Sequence, residues 1–434
     1  MSDVACHSAD HFSRRTLLRA AGASGLLWLT PIAERLARTE EAAPRGRPAK
    51  SIIVLWMQGG PSQLETFDPH PNSAVAFGAQ AIDTAVPDIQ LGAGFEQLAE
   101  QMPQIALVRS IVSKEGDHER ATYNLKTGWR PDPTLVHPSL GAILTHQTTD
   151  NVEIPRHISI LPGAWPARGG YLGDQFDAFK IGDPQGPVPD VRAFVSKDRF
   201  EKRVQHLQAL EDNFARGRLK DLDSQKTLHR TSINAATRMM SSEQLKAFDV
   251  SQAPQSQRDA YGDTPFGRGC LAALQLIKAG VRCVEVMLDG WDTHANNHEL
   301  TRGRIKILDP AFAQLLRDLK AENLLDSTVV LSGGEFGRTP RLNPLEGRDH
   351  WPHGFSMALA GGGLRGGVAI GETSPELPEA KPNIDRDVKQ QVRVEDLHAT
   401  VLTALGIDPQ AEMMTRIGRP MKFSEGTPVK ELLS

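Results

Sequence analysis

The sequence predicts an α/β protein with a mostly parallel central sheet flanked by helices and carrying a helical insertion. Three observations carry that prediction. Short, continuously apolar runs stop at glycine-rich turns: Gly59-Gly60-Pro61, Asp289-Gly290, Gly333-Gly334-Glu335 and Gly361-Gly362-Gly363. Runs that are apolar at every residue belong to strands buried on both faces, as parallel strands are. Stretches of helical periodicity lie between them, and alternation of strand and helix builds a sheet covered on both sides. The 434 residues are 39% hydrophobic and 24% charged, a balance that supports a packed core.

The elements follow in order. Residues 44–50 are a Pro/Arg/Gly/Lys linker, and Ser51–Met57 is the first buried strand. Ile105–Val108 is a second, short strand. Residues 119–127 have helical character and end at Gly128, a left-handed cap. Ile154–Leu161 reads as a strand. Between about 190 and 260 the chain turns polar and helical, with Phe200, Val204, Leu207, Leu210 and Phe214 forming one apolar stripe. This is the expected helical insertion, packed on the main body. Then come a helix over 265–279, a strand over Arg282–Leu288 and a helix over 301–322. Strands over Thr328–Leu331 and Met357–Leu359 and a helix over 394–405 complete the pattern. The expected division is a leader over 1–43 and one α/β domain over 44–434.

Net charge is −4, from 49 Lys and Arg against 53 Asp and Glu, which argues against nucleic acid as a partner. The three cysteines, Cys6, Cys270 and Cys283, exclude a disulfide scaffold and a cysteine-rich zinc site. Near the N-terminus, Arg14-Arg15 precede Leu17, Leu18 and Arg19 and then a short Ala/Gly-rich apolar stretch. That pattern resembles a twin-arginine (Tat) export signal. It implies delivery by the Tat machinery to the periplasm or the exterior, with cleavage in 37–43. No later segment reaches the ~18 consecutive apolar residues of a membrane span.

In a parallel α/β sheet the active site lies beyond the carboxyl ends of the strands. Polar residues collect there. Gln58, Ser62, Glu65 and Asp68 follow the first strand, and Asp117 and His118 follow the second. Asp289, Asp292 and His294 follow the strand ending at Leu288. Glu335 and Arg338 follow Leu331, and the next loop holds Arg348, Asp349, His350 and His353. Histidines and carboxylates gathered from four strand ends suit a mixed nitrogen/oxygen site for a divalent metal.

The order of these pieces resembles the alkaline phosphatase/sulfatase superfamily. Residues 322–337 are similar to its segment around a metal-binding Asp, with Glu335 on that position and Phe336 on the adjoining His or Asn. Leu125-Lys126-Thr127-Gly128 resembles the end of the sulfatase signature and puts His118 on the nucleophile position. Val394 through Ile407 resembles the superfamily's closing helix. More narrowly, the chain resembles the sulfatase-like group called domain of unknown function 1501. Its marks are residues 59–69, Gly290-Trp291-Asp292-Thr293-His294, residues 334–340 and Gly347-Arg348-Asp349-His350.

The resemblance implies an alkaline phosphatase-like fold and an exported, metal-dependent hydrolase of phosphate or sulfate esters. The substrate would be a small or polysaccharide anionic ester. Asp292 or Asp289, with His294 and His350, are the expected ligands of a divalent ion, zinc, calcium or magnesium, with Glu335 a further ligand or the general base. His118 and Glu335 are the expected catalytic groups, and Arg338 and Arg348 the expected clamps on the anion. The chain departs from the superfamily at Gln58, where a carboxylate is usual, at Phe336, which cannot ligate, and at His118 itself. Those departures support the alternative, an exported binding or structural protein that keeps the fold without turnover.

Overall fold

The computed structural model describes residues 48–149, 152–216, 228–379 and 383–434. The stretch read above as a twin-arginine leader, the expected cleavage region and most of the following linker lie outside these residues. Among the described residues no helix is long and apolar enough to cross a membrane.

Nine strands form the central sheet. In chain order they are β1 (Ser51–Met57), β2 (Ile105–Val112), β3 (His157–Ile160), β4 (Phe179–Ile181), β5 (Cys283–Leu288) and β6 (Thr328–Gly333). A two-strand ribbon, β7 (Gly337–Arg338) with β8 (His350–Trp351), stands apart from the sheet. The sheet resumes with β9 (Phe355–Gly361), β10 (Val368–Ile370) and β11 (Val392–Arg393). Its order is β10-β2-β9-β6-β1-β5-β3-β4, with β11 also paired to β2. All pairings are parallel except those of β9, which runs antiparallel to both β6 and β2.

Every residue of β1 is buried, as its unbroken apolar run requires. Alternate residues serve opposite faces. Ile53, Leu55 and Met57 join a core that includes helices α5 (Pro265–Lys278) and α6 (Asn297–Ala321). Ile52, Val54 and Trp56 join the opposite core with α7 (Val394–Ala404) and α2 (Leu140–Gln147). The expected helix before Gly128 is α1 (His118–Thr127), and Gly128 takes φ 76° there. The insertion contains α3 (Lys197–Arg216) and α4 (Leu228–Met240). Its apolar stripe is only partly covered: Phe200, Val204 and Leu207 are half-buried and Leu210 is 67% exposed. Cys270 and Cys283 are buried free thiols.

One buried ion pair ties α1 to the sheet. Lys126 Nζ lies 2.8 Å from Glu285 Oε1, in the middle of β5, and also donates to the Trp165 carbonyl at 2.9 Å. The ammonium sits 5.0 Å from the centre of the Trp56 ring. Removing one member of such a pair strands the other charge in the interior. We therefore expect Lys126→Met to destabilise the fold by about 3–5 kcal/mol. Adding Glu285→Met should recover most of that loss. Urea unfolding of the single and double variants checks this.

Candidate metal centre

The site stands beyond the carboxyl ends of β1, β5 and β6. After β1 the chain turns through Gly59 (φ 115°) and Gly60 (φ 76°). A Cβ on Gly59 would come within 2.4 Å of the Asp292 amide nitrogen, and one on Gly60 within 2.4 Å of the Phe336 ring. Glycine is needed at both positions, for the backbone angle and for the close approach of three loops.

Asp292, His294 and His350 come together as expected, and His118 joins them. His294 Nε2 and His350 Nε2 lie 3.2 and 3.3 Å from Asp292 Oδ1, and 3.0 Å from each other. His118 Nε2 lies 3.5 Å from Asp292 Oδ2. One ligand atom from each of His118, Asp292 and His350 falls within a 4.8 Å spread.

The other nitrogen of each ring is committed. His118 Nδ1 donates to Glu335 Oε1 at 2.8 Å, His294 Nδ1 to Asp349 Oδ1 at 2.9 Å, and His350 Nδ1 to the Gly116 carbonyl at 2.8 Å. Carboxylates and carbonyls only accept, so each Nδ1 carries the proton. In the neutral rings the Nε2 lone pairs then face one another and the Asp292 carboxylate. Such a cluster is repulsive unless a positive charge lies among its members. The His294 and His350 imidazole nitrogens with the Asp292 carboxylate are a donor set that a divalent ion of the zinc class fits.

Glu335 is fully buried and sits behind His118 rather than beside the donors. Its Oε1 accepts from His118, the Gly59 N–H (2.9 Å) and Gln58 Nε2 (3.1 Å), while Oε2 has no partner. Gln58 is unavailable as a ligand, because its Oε1 accepts from Trp56 Nε1 at 2.8 Å. Asp289 is corrected: its carboxylate accepts from the Gly290 N–H at 2.7 Å in an exposed turn, away from the cluster.

The two arginines are corrected as well. Arg338 is fully buried. It donates to the carbonyls of Gly59, Gly60, Trp291 and Arg348 and, at 2.6 Å, to Asp292 Oδ1. Arg348 is equally buried and donates to Glu65 Oε1 and to the carbonyls of Val75, Thr339 and Pro340. Both guanidiniums are enclosed in the loops and present no free fork to an anion.

Other candidates have local duties. Asp68 Oδ2 accepts from the Thr373 N–H and hydroxyl, and Asp117 caps α1 through the Arg120 N–H. Sequence reasoning missed Trp165, which stacks on His118 with ring centroids 6.4 Å apart. It also missed the supporting role of Asp349, although that residue adjoins His350.

The electrostatics follow from these contacts. The hydrogen bond to Glu335 raises the His118 pKa, against the opposing effect of burial. Burial lowers His350. Burial pushes the Asp292 carboxyl up, but the Arg338 hydrogen bond and charge outweigh it, and the net shift is downward.

With this geometry in place the family is decided by the match of one family description, "Protein of unknown function (DUF1501)", over residues 49–433. The chain belongs to the DUF1501 family. This DUF1501 protein is similar to the lipoteichoic acid synthase LtaP from Listeria monocytogenes (12% identity; 90% of this chain and 78% of that one; TM-score 0.42). It is similar to the PsFucS1 sulfatase from Pseudoalteromonas sp. (12%; 84% and 68%; 0.40). A third similar structure is the alkaline phosphatase from the Antarctic bacterium TAB5 (11%; 83% and 99%; 0.36). None of the curated protein sequences matches the chain.

Glu65 gives this region a pH signature. Burial pushes its carboxyl up, but the close approach of His298 Nδ1, 3.2 Å from Oε1, and the charge of Arg348 prevail and hold the pKa at about 2, below the ordinary 4.5. A lowered pKa stabilises the fold fully above the ordinary value and loses that contribution as pH falls through about 2. Glu65→Gln should therefore cost roughly 3 kcal/mol at neutral pH, the worth of a shift of this size. Its deficit against wild type should shrink steadily as pH drops from 4.5 towards 2. Chemical denaturation across that range checks the sign.

Proposed function

We propose that this DUF1501 protein is an exported, metal-dependent hydrolase of phosphate or sulfate esters. The observation that carries the reading is the convergence of the His294 and His350 Nε2 atoms on Asp292, beside His118, beyond the carboxyl ends of parallel strands. Asp292 and the two imidazoles would hold the ion. A divalent ion there supplies Lewis acidity to an ester oxygen and lowers the pKa of a bound water. Arg338 keeps Asp292 ionised and fixed. Asp349 and the Gly116 carbonyl orient His294 and His350. The half-exposed Trp165 indole walls the site beside His118, and the buried Phe336 ring backs His118 and His350 at centroid distances of 5.0 and 4.4 Å. These rings cover the His118 and His350 side of the site, while Asp292 and His294 stay open to solvent.

The enclosure of Arg338 and Arg348 supports a second reading, an exported binding protein that takes up metal without turnover. One experiment separates the two. The purified mature protein is assayed on p-nitrophenyl phosphate, bis-p-nitrophenyl phosphate and p-nitrophenyl sulfate, before and after chelation. The hydrolase reading expects turnover that chelation abolishes and zinc restores. Metal uptake with no turnover on any ester favours the binding protein.

Two further outcomes are expected. His294→Ala and His350→Ala should each lower metal occupancy ~10-fold or more by elemental analysis, as loss of a ligand implies. Arg14→Lys with Arg15→Lys should retain the protein in the cytoplasm on cell fractionation. Unchanged export in that double variant would overturn the twin-arginine reading.

A further inference from the structure

We infer that His118, at the position where the superfamily resemblance puts a nucleophile, is a metal ligand, and that Glu335 is the carboxylate that positions it. The inference rests on the metal site proposed above and adds its fourth protein donor.

The spacing of the donors carries the argument. In a tetrahedral zinc site with bonds of 2.0–2.1 Å, neighbouring donor atoms stand about 3.3 Å apart. Four separations in the cluster lie near that figure: 3.0 Å for His294 Nε2 to His350 Nε2, 3.2 and 3.3 Å for those atoms to Asp292 Oδ1, and 3.5 Å for His118 Nε2 to Asp292 Oδ2. His118 thus stands 3.5 Å from Asp292 Oδ2, on the second oxygen of the carboxylate whose first oxygen the two assigned histidines approach at 3.2 and 3.3 Å. Its ligand atom lies within 4.8 Å of those of Asp292 and His350. A nucleophile must reach past the ligands to the ester. Here the Nε2 atom lies among them.

The support of the His118 ring points the same way. Glu335 accepts the His118 Nδ1 proton and leaves Nε2 with its lone pair directed at the cluster. The pattern repeats Asp349 behind His294 and the Gly116 carbonyl behind His350. A carboxylate behind a ligating histidine fixes the tautomer and raises ligand basicity. Glu335 is itself held by the Gly59 N–H and the Gln58 amide, which explains a glutamine where a ligating carboxylate was expected. Phe336 and Trp165 flank the ring, so His118 has little freedom to swing towards a substrate. The outcome is one metal ion with three imidazoles and one carboxylate, and no covalent intermediate on His118.

The test uses zinc affinity, measured by competition with a chromogenic chelator, and the visible absorption of the cobalt-loaded protein. His118→Ala should weaken zinc binding ~10-fold or more and change the cobalt spectrum, and added imidazole should restore the spectrum. Glu335→Gln should also weaken zinc binding ~10-fold while His118 stays in place. The wild-type protein supplies a readout that no misfolded variant can confound. Bound zinc should protect His118 from diethyl pyrocarbonate, followed at that residue by peptide mass spectrometry. Unchanged zinc affinity and cobalt spectrum in His118→Ala, or modification of His118 regardless of zinc, overturns the inference and leaves the metal site standing. Unchanged affinity in His294→Ala and His350→Ala as well overturns the metal reading itself.

Discussion

The buried guanidinium of Arg338 is the interaction on which the rest of the site depends. A guanidinium removed from water must have its donors met and its charge paired. The donors go to carbonyls on the loop after β1, on the loop after β5 and at Arg348, and the charge is met by Asp292. Three loops that are distant in sequence are thereby held around one cation. Asp292 is both the counter-ion of Arg338 and the carboxylate on which the histidines converge. Its position is set by the interior of the protein as much as by anything it binds.

The histidines are positioned in the same indirect manner. Each ring is fixed through the nitrogen that faces away from the cluster, and the three acceptors come from three places: Glu335 after β6, Asp349 before β8 and Gly116 before α1. The close approach that brings these elements together requires glycine at Gly59 and Gly60, where any Cβ would strike Asp292 or Phe336. Lys126 and Glu285 pin the far end of α1 to β5, so the helix that begins with His118 cannot shift along the sheet without breaking a buried ion pair. Packing, backbone angle and buried charge all constrain the same few atoms.

Much of this was legible in the sequence. Continuous apolar runs ending at glycine-containing turns located β1, β5 and β6, and the polar residues after these strands and after β2 include every member of the histidine and carboxylate cluster. The antiparallel direction of β9 was not legible, because an apolar run reads the same in either direction. The ribbon of β7 and β8 was too short to leave a pattern. Asp289 and Asp292 are both acidic and three residues apart. What separates them is a local turn in which Asp289 satisfies the Gly290 N–H, and spacing alone cannot reveal it. Arg338 and Arg348 misled for a related reason. Composition shows a cation but not whether its donors are already spent on carbonyls inside the fold, and burial decides that.

That enclosure changes how the negative charge of an ester would be met on the proposed reading. Among the described residues, the arginine or lysine hydrogen-bonded to the cluster is Arg338, and Asp292 already balances it. Glu335 and Asp349 add carboxylates without a cationic side chain beyond the histidines they orient. With neutral imidazoles the protein side of the site is therefore net negative. An anionic ester is repelled by such a site and attracted once a divalent charge has cancelled the surplus, because Coulomb interactions at a few ångströms in a partly buried site are worth several kcal/mol. The charge pattern thus imposes an order. On the proposed reading an ester would enter only a loaded site, and its affinity would track metal occupancy rather than any side-chain clamp.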